Sequence, residues 1–290
     1  MSGGSVTPRT AGVPSRPAGV TVITVVRDGV RTLERTIASV RAQTHADLEY
    51  LIVDGASTDG TVELIRRHGA TLRWISEPDR GLYDAMNKGV ALIDDPERYV
   101  MFLNADDVFA SDEALARLLA ATDGEDLLYG RIERHDEATG YRDVVGGEVA
   151  PEALAFRMIP HQTMLCRRRL FTRLGGFDLR YRIAADYDWL RRLYADPAIT
   201  RRFAPVVVAT MARGGLSDQL YPRLVRERWA ILRRRGSAAD LAGYTVYAAL
   251  VEVPKHAAQR VLRRLGWLDR ARDLTGRWRG RTPRAGAPFA

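Results

Sequence analysis

Residues 100–107 read Val100-Met101-Phe102-Leu103-Asn104-Ala105-Asp106-Asp107, an apolar run that ends in two adjacent carboxylates. Four apolar residues after Tyr99 form the pattern of a buried strand, and open α/β sheets bind ligands beyond the carboxyl ends of such strands. Side-by-side acids repel each other, and a hard divalent cation with oxygen ligands relieves that repulsion. A plain turn fits the same residues, because Asn and Asp form loops readily and Ser111 before Asp112-Glu113 reads as the cap of a following helix.

Upstream of this stretch, strand and helix patterns alternate. Val20 to Val26 is a β-branched strand, Thr32 to Ala42 a helix with Leu33, Ile37 and Val40 on one face, and Leu48 to Val53 a second strand. Thr61 to Arg67, with Val62 and Ile65 and with Thr58 as its cap, reads as a second helix; Thr71 to Ile75 is a third strand and Leu82 to Ile93 a third helix. With Tyr99 to Leu103 as the fourth strand, the alternation predicts an α/β fold whose mostly parallel sheet carries helices on both faces. Each early strand is followed by a carboxylate, at Asp28, Asp54 and Asp79, with Asp106 and Asp107 after the fourth. Neither a Gly-x-Gly-x-x-Gly nor a Gly-x-x-x-x-Gly-Lys-Ser/Thr pattern is present, so these loops match neither the dinucleotide fingerprint nor the P-loop.

After Asp107 the pattern weakens. Leu127 to Glu133, Gln162 to Cys166 and Phe203 to Ala209 read as strands, Asp143 to Val149 as a loop or edge strand, and Ala184 to Tyr194 as a helix. This half is expected to shape a site more than to build a sheet.

Composition sets outer bounds. A hydrophobic fraction of 46% supports a folded core in a 290-residue chain, and the single Cys166 can form no internal disulfide, which fits a reducing cytoplasmic setting. Residues 1–19, rich in Ser, Gly, Pro, Thr and Arg, read as a disordered lead-in without a secretory signal. The apolar stretch from Leu241 to Val253 is too short to span a bilayer. From Leu220 onward there are 16 Arg or Lys against 5 Asp or Glu, a net of +11 in a chain of net +8, so the first 219 residues carry −3. Arg233-Arg234-Arg235, Arg263-Arg264 and the Arg277–Arg281 stretch, interleaved with Trp229, Trp267 and Trp278, form a basic helical tail. Two uses compete for it: an anionic membrane surface, or a solvated face; no nucleic-acid motif accompanies the charge.

Four further stretches agree in order and spacing with the first: Thr21 to Arg27, Val53-Asp54-Gly55-Ala56-Ser57-Thr58-Asp59-Gly60-Thr61, Glu77-Pro78-Asp79-Arg80-Gly81-Leu82-Tyr83-Asp84-Ala85-Met86-Asn87-Lys88-Gly89, and Gly175-Gly176-Phe177-Asp178 ahead of Asp186. Together they resemble glycosyltransferase family 2 over residues 20–215, most of all bacterial enzymes of exopolysaccharide and colanic-acid-type assembly. The resemblance implies a Rossmann-like GT-A domain over 20–219 with a basic amphipathic tail over 220–290. It also implies a nucleotide-diphosphate-sugar donor of UDP type, Mg²⁺ or Mn²⁺, and inversion at the anomeric carbon. The acceptor would be a hydroxyl of a saccharide or lipid-linked saccharide, met by a peripheral protein at the inner face of the plasma membrane.

Carried onto this chain, the family pattern assigns base and ribose contacts to Thr24, Val26, Asp54, Asp79, Arg80 and Asn87. The metal motif Asp-x-Asp falls on Asn104, Ala105 and Asp106. Asn104 brings no charge, so the cation is expected on Asp106 with Asp107 nearby, and Asn104 can hydrogen-bond the ribose. The family's Glu-Asp pair falls on Ala185-Asp186, which makes Asp186 the expected general base, with Asp188 as its rival on another helical face. His161, before Gln162, and Ser217, in Gly214-Gly215-Leu216-Ser217, are weaker matches beside acceptor or phosphates. Asn104 and Ala185 also permit a second reading, a GT-A partner in polysaccharide assembly that has lost its chemistry; the retained acids argue against it.

Overall fold

The computed structural model describes residues 18–136, 140–212, 219–264 and 267. The first four strands and three helices follow the predicted alternation: β1 (Val20–Val26), α1 (Leu33–Arg41), β2 (Leu48–Asp54), α2 (Thr61–His68), β3 (Arg73–Ser76), α3 (Leu82–Ala91) and β4 (Tyr99–Phe102). After them come β5 (Val108–Phe109), α4 (Ala114–Leu119), β6 (Leu127–His135), β7 (Arg142–Val145), β8 (Met164–Arg167), α5 (Arg169–Leu174), α6 (Ala185–Tyr194) and β9 (Arg201–Ala212). Short 3₁₀ turns occupy Pro151–Ala155 and His161–Thr163. Helices α7 (Tyr221–Arg235), α8 (Ala238–Tyr247) and α9 (Val253–Arg264) complete the described chain, with a π turn at Ala248–Glu252 joining the last two.

One sheet runs β3-β2-β1-β4-β8-β6-β9-β5, with β7 pairing the later part of β6, beyond its contact with β8. Its first part, β3 to β4, is parallel throughout, as the βα repeats require. From β8 onward antiparallel pairs join it, and only β6 and β9 run parallel. The second half therefore builds as much sheet as the first, contrary to the sequence expectation. Its strands were faint because their partners lie far along the chain; Leu127, for example, pairs with Cys166 and Arg201.

Alternation along the central strand splits the core. Val20 and Val22 face α1, α2 and α4 through Leu33, Ile37, Leu64 and Leu115, whereas Ile23 and Val25 face α3, α5 and α6 through Met86, Phe171 and Trp189. Cys166 is a buried member of the second cluster, and burial pushes its thiol up. Its packing role is as expected.

Two expected helix caps are absent. Gly60, at φ +98°, precedes α2, while Thr58 turns back to donate its amide to Asp28 Oδ1 at 2.9 Å; the Asp59 carboxylate takes the Thr61 amide instead. At α4 the residue before the helix is Glu113, and Ser111 contributes only its carbonyl, to Ala114 N.

Residues after 220 are not a free appendage. Ile231 and Leu232 of α7 and Tyr244 of α8 are fully buried in the second core cluster, and Arg191 on α6 pairs with Asp240 on α8 at 2.8 Å. Among the described residues no helix is long and apolar enough to cross a membrane. The expected lead-in, apart from residues 18 and 19, and the segment beyond Trp267 lie outside the described residues.

Candidate active site

A cleft of about 510 Å³ opens above the carboxyl ends of β1 and β4. It is lined by Val26 to Gly29 and Asn104 to Asp107 at those strand ends, and by Tyr83, His161, Gln162, Arg182, Ile183, Asp186 and Met211. Asp106 and Asp186, which the sequence puts eighty positions apart, share this space.

The rim formed by the Asp28 loop is tied together by its own hydrogen bonds. Asp28 stands at φ +53°, its amide donating to Ser57 Oγ at 2.8 Å and its carboxylate accepting from Thr58 N; Gly29 N and Val30 N donate to Thr61 Oγ1 and Asp59 Oδ2. A left-handed non-glycine residue costs energy and persists where its surroundings fix it.

The two adjacent acids differ. Asp106 is exposed, whereas Asp107 is 1% exposed, and burial first, then the Asp106 charge, pushes its carboxyl up to about 7. Gln162 Nε2, donating to Asp107 Oδ2 at 2.9 Å, pulls the other way. Asp107 Oδ1 and Asn104 Oδ1 are buried without any hydrogen-bond partner. Leaving such an acceptor unpaired costs about 1–3 kcal/mol, so both are set to accept from, or coordinate, something that enters the cleft. Among the described residues no three His, Cys, Asp or Glu side chains gather as a metal cage.

Asp186, in the same cleft, lies in the first turn of α6 and is held on all sides. Its Oδ1 accepts from Tyr83 OH at 2.9 Å and from Tyr187 N at 2.8 Å, and its Oδ2 lies 3.2 Å from His161 Nδ1. The Tyr83 hydroxyl, pushed well up by burial and by the Asp186 charge, lies 2.9 Å from Ile183 O as well, so its one hydrogen is shared between that carbonyl and the carboxylate. Behind this loop, Glu227 of α7 accepts the amides of Arg182, Ile183 and Ala184 at 2.9–3.1 Å. A carboxylate on a later helix thus caps the start of α6.

Several expected contacts are spent elsewhere. Thr24 is fully buried and takes the Tyr50 hydroxyl at 3.1 Å. Asp54 is fully buried and is occupied by Ser57 and by Ser76 Oγ. Both shape the rim from beneath, and neither lines the cleft. Asp79 packs against Gly55 and caps Gly81 N at 2.7 Å, and Arg80 is committed to Asp84 at 3.0 Å; neither of them borders the cleft. Asn87 grips the backbone of Phe177, donating to its carbonyl at 2.9 Å and accepting its amide at 2.8 Å, and so holds the Gly-Gly-Phe-Asp segment. Asp188 is fully buried between Arg192 (3.0 Å) and Arg235 (2.5 Å), which removes it as a rival base. Ser217 lies outside the described residues. Of the predicted set, Val26, Asn104, Asp106, Asp107, His161 and Asp186 converge on the cleft.

Tyr83, Gln162 and Glu227 were missed as site residues. The first two lie inside motifs already singled out, and their polar ends were the available signal. Glu227 had none, because its partners sit more than forty residues upstream.

Residues 21–174 match the model of glycosyl transferase family 2. A PGL/p-HBAD biosynthesis glycosyltransferase of Mycobacterium tuberculosis is 36% identical over 214 residues, covering 70% of this chain and 81% of that protein. A second glycosyltransferase of M. tuberculosis is 32% identical over 252 residues, covering 79% and 92%. Among solved structures, S. aureus TarS 1–349 in complex with UDP-GlcNAc superposes with a TM-score of 0.61 at 14% identity over 80% of this chain and 73% of that one. The mannosyltransferase PcManGT of Pyrobaculum calidifontis, in complex with GDP-Man and Mn²⁺, gives 0.61 at 22% identity over 93% and 82%. The structures share the GT-A fold, and the sequence matches carry the assignment: the chain belongs to glycosyltransferase family 2 and is a glycosyltransferase.

Proposed function

We propose that the protein moves a sugar from a nucleotide-diphosphate-sugar, of UDP type, to a hydroxyl of a saccharide or lipid-linked acceptor, with inversion at the anomeric carbon. The observation that carries this reading is the shared cleft, lined by Asp106, by Asn104 and Asp107 with their unpartnered acceptor oxygens, and by Asp186. Inversion needs one direct displacement, with the leaving diphosphate and the attacking oxygen on opposite faces of the sugar, and therefore two separate sets of polar groups.

Val26 and the Asp28 loop would border the base and ribose, with Asn104 Oδ1 accepting from a ribose hydroxyl. Asp106 and Asp107 would hold Mg²⁺ or Mn²⁺. Two carboxylates suit an ion completed by phosphate oxygens and water, and the orphaned Asp107 Oδ1 supports that fit. When bound, the ion supplies Lewis-acid stabilisation of the departing diphosphate. Asp186 makes the acceptor side basic, and Tyr83 with the Tyr187 amide holds that carboxylate in one orientation.

The test is release of nucleoside diphosphate from a panel of sugar nucleotides, with Mn²⁺, Mg²⁺ or chelator, in wild type and Asp106→Asn. Acceptors from PGL/p-HBAD biosynthesis belong in the panel, because a relative is named for that pathway. Cation-dependent release that the variant loses supports the reading; equal release with chelator refutes the metal assignment.

We further propose peripheral attachment to anionic membrane through the helices after 220. Val246 on α8, Leu250 on the π turn, and Val253 and Val261 on α9 are exposed, and Trp267 follows. Arg233 lies over the exposed Trp229 ring at 5.3 Å. Apolar groups beside cations suit an anionic lipid surface. Leu250→Glu is expected to weaken sedimentation with anionic vesicles without lowering nucleotide release, and equal sedimentation would count against attachment. Truncation at Leu220 is a poorer probe, since it removes Glu227 from behind Asp186.

A further inference from the structure

We propose that His161 is the group that takes the proton from the acceptor hydroxyl, at Nε2, and that Asp186 acts by orienting and charging that ring. The inference rests on the reading of the cleft as a sugar-transfer site and adds the atom at which the proton leaves.

Asp186 Oδ2 lies 3.2 Å from His161 Nδ1. An ionised carboxylate only accepts, so Nδ1 carries the hydrogen and the neutral ring presents Nε2 as a lone pair. Nε2 is buried without a hydrogen-bond partner, on a residue 9% exposed that lines the cleft. Asp186, by contrast, already receives three donors: Tyr83 OH, Tyr187 N and the ring itself. The nitrogen has no partner at all, whereas the carboxylate has three.

The local backbone explains the placement. His161 begins a 3₁₀ turn closed by Thr163, whose amide and hydroxyl both donate to Pro160 O at 2.9 Å. Its neighbour Gln162 reaches Asp107 at 2.9 Å. One turn therefore links the acid pair under the diphosphate to the carboxylate on the acceptor side, and the imidazole stands between them.

In the step, the acceptor O–H proton passes to Nε2 as the oxygen's electron pair forms the bond to the anomeric carbon. The bond from that carbon to the diphosphate oxygen breaks, its electron pair leaving with the nucleoside diphosphate. The imidazolium is stabilised by Asp186 and returns its proton to solvent.

His161→Asn tests this, because the Asn amide can keep the hydrogen bond to Asp186 while Nε2 is deleted. Transfer should fall at least about 100-fold, the usual scale for a lost general base. Affinity for the sugar nucleotide, measured by titration calorimetry, should stay within about threefold, since uniform binding is untouched. His161→Ala should recover transfer when imidazole is added, which a merely structural residue would not. Transfer by His161→Asn near the wild-type rate would overturn the proposal and hand the proton to Asp186 directly. Loss of donor affinity would overturn it too, assigning the ring to the diphosphate, as would His161→Ala without rescue. A wild-type protein that binds no sugar nucleotide would instead defeat the reading of the cleft itself.

Discussion

Between Val20 and Phe102 the sheet is assembled from successive parallel βα units, with β4 returning beside β1, while beyond Phe109 it mixes the β6–β7 hairpin with antiparallel and parallel strands paired far along the chain. The two regions also treat their polar groups differently. On the first side the loops satisfy one another, Asp28 with Ser57 and Thr58, Asp54 with Ser57 and Ser76. On the second, the groups that matter are reached from elsewhere: Asp186 by Tyr83 of α3 and His161, and the loop before it by Glu227 of α7. A rim held by its own residues is suited to fit one recurring ligand, whereas a site assembled from several elements can be reshaped by changing any of them.

That contrast can be broken most sharply at Asp186. Asp186→Asn should lower transfer by about 10³-fold while the donor still binds, because proton removal and not the first-side rim is damaged. Stopped assays beside donor titration measure both; full transfer would end the division into donor and acceptor sides.

Asp107 offers the next largest effect. Its folded carboxyl is raised to about 7 from 3.8, so the folded protein holds that proton more tightly than the unfolded chain. Without divalent cation its contribution to stability is complete below about pH 4 and is lost as pH rises to about 7, by up to about 1.4 kcal/mol per unit. Urea titrations across that range should show the slope in wild type and a flatter profile in Asp107→Asn. An added cation favours the ionised form and should stabilise more at pH 8 than at pH 5.

Glu227→Gln, on α7, should cost about 1–2 kcal/mol, the difference between charged and neutral acceptors for the three amides it holds. It should slow transfer about tenfold with little change in donor affinity, since it shifts only the loop behind Asp186. Equal loss of donor binding would erase the distinction between the regions.

Asn87→Ala is the mildest and most diagnostic change. Two hydrogen bonds to the Phe177 backbone disappear, worth about 1–2 kcal/mol together. Thermal unfolding should report that loss while the donor titration is unchanged, and a weakened donor would restore the nucleotide role expected from sequence.

The same division governs what the chain revealed before folding. β1 to β4 were legible to within a few residues because apolar runs, turn residues and helix faces recur locally. β6, β8 and β9 were recognised as strands, but their part in one sheet was hidden by distant pairing. In the site, Asp106 and Asp107 were legible as acids at the end of an apolar run, and Asp186 only through the family's Glu-Asp pair. Thr24, Asp54 and Asn87 looked equally apt for a ligand, and only the folded neighbours Tyr50, Ser76 and Phe177 reveal that their polar atoms are taken. A motif names the residue type that a position needs, not which partner it serves.

The grip of Asn87 on Phe177 has an effect on how the sequence can drift. A side-chain carbon at Gly176 would lie 2.5 Å from Asn87 Oδ1, so no larger residue fits there while the amide stays. Conversely, a smaller residue at 87 frees the space but abandons the Phe177 backbone. A larger residue at 176 should therefore be accepted only once Asn87 has been replaced, although the two belong to motifs separated by nearly half the domain.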